Sequence, residues 1–381
     1  MEPKIRLKGF SGDWEKTIFD NVVTINSGLD YKHLSKGNIP VYGTGGYMLS
    51  VNESLSEVDA IGIGRKGTIN KPQLLKAPFW TVDTLFFMTP KNGNDLNYLY
   101  SLSQKINWRK YDESTGVPSL SKVNIGKIEF AMPHKDEQQA IASYFQHLDS
   151  LIQSTTKKIE SLKQVKSASL QSMFPQEGET TPRVRFKEFE GEWENKTLGE
   201  CLTINNERNQ SNLYGINDVL SVSDEVGVVN QIKLLGRSYA GKSVANYRVL
   251  KTNQIVYTKS PLKSKPYGIV KVNKGAIGIV SVLYAVYDAN ENVYPDYIHY
   301  YFEPTHRINN YLLPLINKGA KNTMNISDEM ALTGHVWIPS FEEQKKIAIY
   351  LQVLDNQIIL QTQRLEKLKQ IKSACLDNMF V

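Results

Sequence analysis

The sequence predicts an α+β protein in which two globular domains with mostly antiparallel sheets are separated by two long helices. Three observations predict this fold class: the last 42 residues of the two halves repeat each other, both copies have the apolar spacing of a long helix, and short β-rich runs precede each copy. The 381 residues are 41% hydrophobic and 22% charged, which is ordinary for a globular chain of two or three domains.

An internal repeat divides the chain into two halves. Residues 133–174 align without gaps on residues 339–380, with 21 identities in 42 positions at a constant offset of 206. A second pair, PKIRLKGFSGDWE from Pro3 and PRVRFKEFEGEWE from Pro182, begins the two halves and is called the domain-start motif. The order of domain-start motif, variable region and helix occurs twice, which predicts a pseudo-two-fold internal repeat.

The repeat also predicts the domain boundaries. They are a first globular domain at 1–132, a central helix at 133–174, a polar hinge at 175–181, a second globular domain at 182–338 and a C-terminal helix at 339–381.

The two repeated helices are expected to form an antiparallel coiled coil. Their apolar residues step by four and three positions, as in the seam of a coiled coil. The seven-residue hinge is too short for a parallel return along a helix of about 58 Å. A capping box is predicted at Ser340–Glu343. Two core helices of ordinary domains remain the alternative. The predicted interface residues are Ile141, Phe145, Leu148, Ile152, Ile159, Leu162, Ile347, Leu351, Leu354, Ile358, Leu365 and Leu368.

Each variable region is predicted to be an α+β domain. Short helices are expected at Asn97–Ser103 and Asp296–Phe302 because each follows the last β-rich run of its region. The predicted strands lie in the runs Ile61–Gly64, Phe79–Phe87, Gln254–Thr258, Tyr267–Val272 and Ala276–Val282.

Basic residues are concentrated in the second variable region, within a chain of net charge +6. Between Glu225 and Asp288 there are ten Lys or Arg residues, interleaved with tyrosines, and no carboxylate. A smaller basic run lies between Asp59 and Asp83. Such stretches favour contact with nucleic-acid phosphates. A solvated basic face beside buried strand tyrosines is the alternative interpretation.

The sequence offers little support for catalysis. Gly236–Ser243 fits the phosphate-loop pattern GxxxxGK[ST], but β-branched and turn residues follow it where a helix is required. We interpret the match as coincidental and keep a P-loop NTPase as an alternative function. The histidines and the two cysteines have no metal-ligand spacing. With no predicted membrane span or signal peptide, the chain is expected to be cytoplasmic and to have no membrane partner.

The chain resembles the specificity subunits of type I restriction-modification systems. The resemblance rests on the domain-start motif PKIRLKGFSGDWE, on the junction PSLSKVNIGKIEFAMPHKDEQQAIASYF and on its partner NISDEMALTGHVWIPSFEEQKKIAIYL, each of which runs into a helix. It covers essentially the whole chain, including the order of its parts. It implies a non-catalytic subunit with two target-recognition domains, each reading one half of a split sequence in double-stranded DNA. A coiled-coil adaptor that does not bind DNA is the remaining alternative.

The resemblance also implies partners. Two methyltransferase subunits would dock on the helices, and restriction subunits would complete the complex. S-adenosylmethionine, ATP and Mg are expected in those partners, with no cofactor bound by this chain.

Base-reading residues cannot be transferred from the family by motif, so the candidates are chosen by chemistry. Arg suits guanine edges and Asn suits adenine edges, whereas Lys more often contacts only phosphate. The candidate DNA-binding residues are Thr44, Arg65, Lys66, Lys71, Arg109, Lys110, Tyr111, Arg237, Lys242, Lys259, Lys263, Lys265, Tyr267, Lys318, Lys321 and Asn322.

Overall fold

A computed structural model describes residues 2–241, 243–259, 262, 264–318 and 324–381.

The chain forms two compact units. Unit 1 comprises Met1–Lys158 and Gln361–Val381, and unit 2 comprises Ile159–Leu360. Both long helices therefore contribute to both units. The domain boundaries predicted from the repeat stay a prediction.

Unit 1 contains several sheets, short helices and one part of each long helix. Its helices are α1 (Phe19–Val22), α2 (Leu96–Lys105), α3 (Lys122–Gly126) and the beginning of α4 (Lys135–Ser172). Its strands are β1 (Glu15–Ile18), β2 (Val23–Ser27), β3 (Lys36–Gly43), β4 (Gly46–Val51), β5 (Ala60–Gly64), β6 (Gln73–Leu75), β7 (Trp80–Thr81), β8 (Leu85–Pro90) and β9 (Glu129–Met132).

Unit 2 follows a similar plan with more short strands. Its helices are α5 (Leu198–Cys201), α6 (Gln231–Leu235), α7 (Pro295–Phe302), α8 (Thr305–Leu312) and the beginning of α9 (Phe341–Met379). Its strands are β10 (Glu194–Thr197), β11 (Leu202–Ile204), β12 (Leu220–Ser223), β13 (Gly227–Asn230), β14 (Arg248–Leu250), β15 (Ile255–Thr258), β16 (Val270–Val272), β17 (Gly278–Val280), β18 (Tyr284–Ala289), β19 (Asn317–Lys318), β20 (Met324–Asn325) and β21 (His335–Ile338).

The main sheets of the two units have corresponding strand orders. Unit 1 has the antiparallel order β2-β8-β5-β6, and unit 2 has the antiparallel order β11-β18-β15-β16. The strand that follows the domain-start motif pairs with the strand that leads into the long helix, as β1 with β9 and as β10 with β21. The duplication seen in the sequence is therefore a duplication of topology.

One predicted strand run is divided in the structure. The β-rich run Phe79–Phe87 contributes to two strands, β7 and β8, with a turn between them that is closed by the Leu85 N–H donating to the Val82 carbonyl at 2.9 Å. The division arises because β7 pairs with β3, whereas β8 pairs with β2 and β5 of the main sheet. The two predicted helices are present as α2 and α7.

The domain-start motif holds the first turn of each long helix. The guanidinium of Arg6 donates two hydrogen bonds of 2.8 Å to Glu137 of α4, and it also donates to the Gly12 carbonyl at 2.6 Å. In unit 2, Arg185 donates two bonds of 2.7 Å to Glu343 of α9. This paired contact gives a physical reason for the repeated Arg and Glu residues, since a bidentate ion pair needs both partners.

The contact with Arg185 changes the predicted capping box of α9. The Ser340 hydroxyl accepts a hydrogen bond from the Glu343 N–H at 3.4 Å, which is one half of the box. The Glu343 carboxylate binds Arg185. The box prediction is therefore wrong for the Glu side chain, because a buried carboxylate gains more from a guanidinium than from a backbone N–H.

Within each unit the two long helices run antiparallel. In unit 1, Lys372 of α9 contacts Asp149 of α4 at 2.6 Å, and Tyr144 contacts Cys375 at 3.4 Å. In unit 2, Lys166 of α4 contacts Asp355 of α9 at 2.5 Å. At the offset of 206, Lys166 corresponds to Lys372 and Asp355 corresponds to Asp149, so the two units contain equivalent Lys–Asp contacts.

The apolar seam of the helices is part of each domain's core. Ile141, Phe145 and Leu148 belong to one buried cluster with Tyr98 of α2 and with Phe380 near the end of the chain. The beginning of α9 is buried in the same way in the core of unit 2. The seam residues that are half-buried are Ile152, Leu162, Ile358, Leu365 and Leu368.

Candidate nucleic-acid interface

The loop after β5 presents the strongest basic candidates of unit 1. The Arg65 N–H donates to the Thr84 carbonyl, the Leu120 N–H donates to the Arg65 carbonyl, and the Gly67 N–H donates to the Pro118 carbonyl, each at 2.8 Å. Gly67 has φ of 91°, a left-handed conformation that favours glycine. The backbone of the loop is thus fixed while the side chains of Arg65 and Lys66 stay exposed.

A third cation lies beside this loop. The Lys122 Nζ is 5.9 Å from the centre of the Phe86 ring, and the Arg65 guanidinium carbon is 5.7 Å from the same centre. Lys122 is not among the candidates chosen from the sequence. Its spacing from Arg65 along the chain gave no signal, since the bridge between Lys66 and Ser119 is formed only in the fold.

The hairpin of β3 and β4 holds the glycine-rich turn that contains Thr44. Gln73 Nε2 donates to the Gly43 carbonyl at 2.9 Å and to the Thr44 carbonyl at 3.3 Å, which anchors the turn. Tyr47 and Met48, which follow Gly45 and Gly46, expose 63% and 49% of their surface. These two residues were missed by the sequence analysis, although exposed aromatic groups at a hairpin tip are typical of binding surfaces.

The remaining candidates of unit 1 lie in different elements and differ in exposure. Lys71 is exposed between β5 and β6. Arg109 and Lys110 are exposed in a single turn of 3₁₀ helix that is anchored by the buried Trp108. Tyr111 is half-buried and packs against the core of unit 1, so much of its ring is engaged within the fold.

In unit 2, basic residues of the predicted stretch pair with carboxylates from outside that stretch. The sequence suggested a surface without carboxylates, but the fold brings acidic residues to it from both sides. These pairs are Lys251 with Glu207 at 2.5 Å, Lys271 with Asp224 at 3.5 Å, Lys274 with Asp296 at 2.6 Å, Lys259 with Asp328 at 2.6 Å, and Arg248 with Asp328.

Asp328 forms a buried clamp between two cations. Its side chain is 7% exposed and contacts Arg248 of β14 and Lys259 at the end of β15. Burial by itself would raise the pKa of Asp328, but the hydrogen bonds from Lys259 and Arg248 outweigh burial and lower the pKa below its usual value. The carboxylate therefore stays charged and fixes both strands.

Two further candidates of unit 2 are engaged inside the fold. Lys265 is 8% exposed, and its Nζ donates to the Glu303 carbonyl at 2.5 Å. Tyr267 is half-buried against the core of unit 2. Neither side chain is presented to a ligand in this arrangement.

Among the candidates of unit 2 whose side chains the structure describes, Arg237 is the exposed one. Its guanidinium carbon lies 4.6 Å above the ring of Tyr239, which exposes 61% of its surface. Both residues follow α6, whose last turn ends at Gly236 with φ of 76°. The phosphate-loop pattern that begins at Gly236 thus follows a helix, whereas a P-loop follows a strand.

Lys242, Lys263, Lys321 and Asn322 lie outside the described residues. Lys318 is described only as part of the backbone of β19.

Within the described part of the chain, no cluster of His, Cys, Asp or Glu residues has the arrangement of a metal site. No helix in that part has the length and apolar character needed to cross a membrane.

Comparisons with known proteins identify the first half of the chain. Residues 12–164 match the family described as "Type I restriction modification DNA specificity domain". Residues 12–164 of this chain are therefore similar to a type I restriction-modification DNA specificity domain. The resemblance predicted from the repeated motifs is confirmed.

Two relatives of this family are similar to the chain. The specificity subunit of the type I restriction enzyme MjaVIII of Methanocaldococcus jannaschii is 26% identical over 155 residues, which cover 39% of this chain and 34% of that protein. The match therefore spans about a third of the curated relative. The crystal structure of a type I restriction-modification S subunit from M. genitalium is similar over 100% of this chain and 99% of that chain, with a TM-score of 0.67 and 14% identity. The predicted fold class is confirmed.

Proposed function

We propose that this chain is the DNA-specificity subunit of a type I restriction-modification complex and that it carries out no catalysis itself. Each unit reads one half of a bipartite site in double-stranded DNA. The observation that carries the proposal is the duplication: the specificity domain matches residues 12–164, and unit 2 repeats the sheet order, the domain-start contact and the long helix of unit 1.

The exposed side chains support DNA as the ligand of each unit. In unit 1, Arg65 and Lys66 stand on a loop whose backbone is fixed, and in unit 2 Arg237 stacks on an exposed tyrosine. A guanidinium on a rigid loop can bind a guanine edge or a phosphate by two hydrogen bonds. Rigid placement limits the entropy lost on binding, which favours specific recognition.

The helices have a second role in this proposal. They set the number of unread base pairs between the half-sites, and they dock the methyltransferase subunits. Two methyltransferase subunits are proposed because the chain is duplicated, with restriction subunits in the full complex. S-adenosylmethionine, ATP and Mg would be bound by those partners, in the cytoplasm where the chromosome is reached.

Base-resolution methylation mapping tests the proposal. A genome that carries this gene together with its methyltransferase gene should contain methylated adenines in a motif of two short specific parts separated by unspecified bases. Deleting the gene for this chain should remove that methylation. A motif without a gap, or methylation that persists after the deletion, would contradict the proposal, and a coiled-coil adaptor without DNA affinity predicts the second result.

A further inference from the structure

The two units place different side chains at equivalent positions beside the central strand. Gly64 of β5 pairs with Leu85, and Thr258 of β15 pairs with Tyr284, so Arg65 and Lys259 are the first residues after equivalent strand ends. The constant offset of 206 that relates the two long helices also relates Lys122 to Asp328. A cation in unit 1 thus corresponds to a carboxylate in unit 2.

In unit 2 this position is an internal ion pair. Asp328 is clamped by Lys259 at 2.6 Å and by Arg248, and the Asp328 carboxylate and the Arg248 side chain are 7% and 8% exposed. Lys259 is 21% exposed. A phosphate could reach Lys259 only by competing with Asp328, which is charged and already bound at hydrogen-bond distance.

In unit 1 the same position holds two cations with no carboxylate paired to either among the described residues. Arg65 is exposed and Lys122 is half-exposed, and both lie within 6 Å of the centre of the Phe86 ring. The equivalent of Phe86 in unit 2 is Ala285, as the strand registers show. Unit 1 therefore has an aromatic ring beside its two cations, whereas unit 2 has an alanine beside its ion pair.

An anion would stabilise the arrangement of Arg65 and Lys122 beside the Phe86 ring. The ring face attracts both cations and reduces their freedom, but they repel each other when nothing lies between them. The nearby Glu113 carboxylate accepts hydrogen bonds from Ser121 at 2.8 Å and from Asn124, and among the described residues it forms no ion pair with Arg65 or Lys122. A DNA phosphate that contacts both cations relieves the repulsion and releases counterions.

We propose that Arg65 and Lys122 form a pair that binds a backbone phosphate in the half-site read by unit 1, and that the Lys259–Asp328–Arg248 cluster replaces this pair by a structural contact in unit 2. The inference rests on the proposed function. It assigns a new DNA-contacting residue, Lys122, and it gives the two units different roles at equivalent positions. Arg65 binds DNA in unit 1, whereas Lys259 stabilises the fold of unit 2.

The test compares variants of the full chain, co-purified with its methyltransferase, in binding to duplex DNA carrying the mapped site. The logarithm of the binding constant is plotted against the logarithm of salt concentration. Arg65→Gln combined with Lys122→Gln should reduce the slope by about one unit, since the loss of one phosphate contact removes about 0.9. Arg65→Lys combined with Lys122→Arg should keep the slope, because both charges are kept.

Lys259→Gln serves as the matched control in unit 2. It should lower the thermal unfolding temperature while leaving the salt slope unchanged. Phosphate ethylation interference then locates the contact: the double Gln variant should lose interference within one half-site only.

The outcomes separate the inference from the proposed function. A wild-type complex that shows no salt-dependent binding to its site would overturn the proposed function. A wild-type complex that binds, with a double Gln variant of unchanged slope or with Lys259→Gln reducing the slope equally, would overturn the inference alone.

Discussion

Replacing Arg185 by Leu should strongly destabilise unit 2. The Arg185 side chain is 18% exposed and donates two 2.7 Å hydrogen bonds to Glu343, whose side chain is 1% exposed. The hydrogen bonds to Glu343 raise the pKa of Arg185 above its usual value. The substitution leaves a buried carboxylate without its cation, which typically costs about 3 to 5 kcal/mol of unfolding free energy.

The neighbouring Arg183 supplies the control. Its side chain is 69% exposed and contacts Glu179, four residues earlier, at 2.7 Å. An exposed pair of this kind contributes about 0.2 to 1 kcal/mol. Arg183→Leu therefore makes the same chemical change two residues away with a much smaller expected effect.

Urea unfolding of the full chain measures the difference. Trp193 is buried in the core of unit 2 and provides a fluorescence signal. With a urea dependence of about 2 kcal/mol per molar, Arg185→Leu should lower the transition midpoint by about 2 M, and Arg183→Leu by less than about 0.5 M. Arg185→Lys, which keeps the charge but loses the bidentate geometry, should fall between them. Equal midpoints for the two Leu variants would refute the claim that the domain-start motif anchors the long helix.

Three further predictions concern the helices and the basic stretch. Lys166→Met should lower the unfolding free energy by about 2 kcal/mol in calorimetry, because Lys166 contacts both Glu303 and Asp355. Lys372→Met should have a smaller effect, because Lys372 contacts Asp149, which is 41% exposed. Four residues inserted after Phe145 should reduce stability, whereas a paired insertion after Leu351 should keep both half-sites and lengthen the unread spacer by about two base pairs, as methylation mapping can show. Lys265→Ala should leave the salt slope of DNA binding unchanged, since its Nζ is held by the Glu303 carbonyl.

The sequence predicts the parts of the fold that depend on local spacing. The four-three step of apolar residues predicted helices that the structure places at α4 and α9, and β-rich runs predicted strands of both main sheets. The repeat predicted a duplicated architecture because two copies with the same apolar pattern are expected to bury equivalent residues in the same way. It did not predict that Arg6 and Glu137 meet, since 131 residues separate them.

The candidate site depends on contacts that the sequence order hides. Counting charges between Glu225 and Asp288 predicted an unpaired basic surface, but Asp328 reaches Lys259 from 69 residues away. Lys122 was missed for the converse reason: it looks like an ordinary surface lysine until the fold brings it over Phe86. Charge patterns along a chain therefore give the class of ligand more reliably than they give the residues that touch it.

The central claim is that each unit reads its own half-site, and exchanging residues 1–132 for the corresponding region of another specificity subunit tests it most directly. Methylated adenines would be mapped at base resolution in cells that carry the chimera and its methyltransferase. The account predicts that one half of the recognised motif changes, while the other half and the spacer remain as in the wild type, since each variable region has its own core and makes its own base contacts. A simultaneous change in both halves, or a motif that does not change at all, would contradict it.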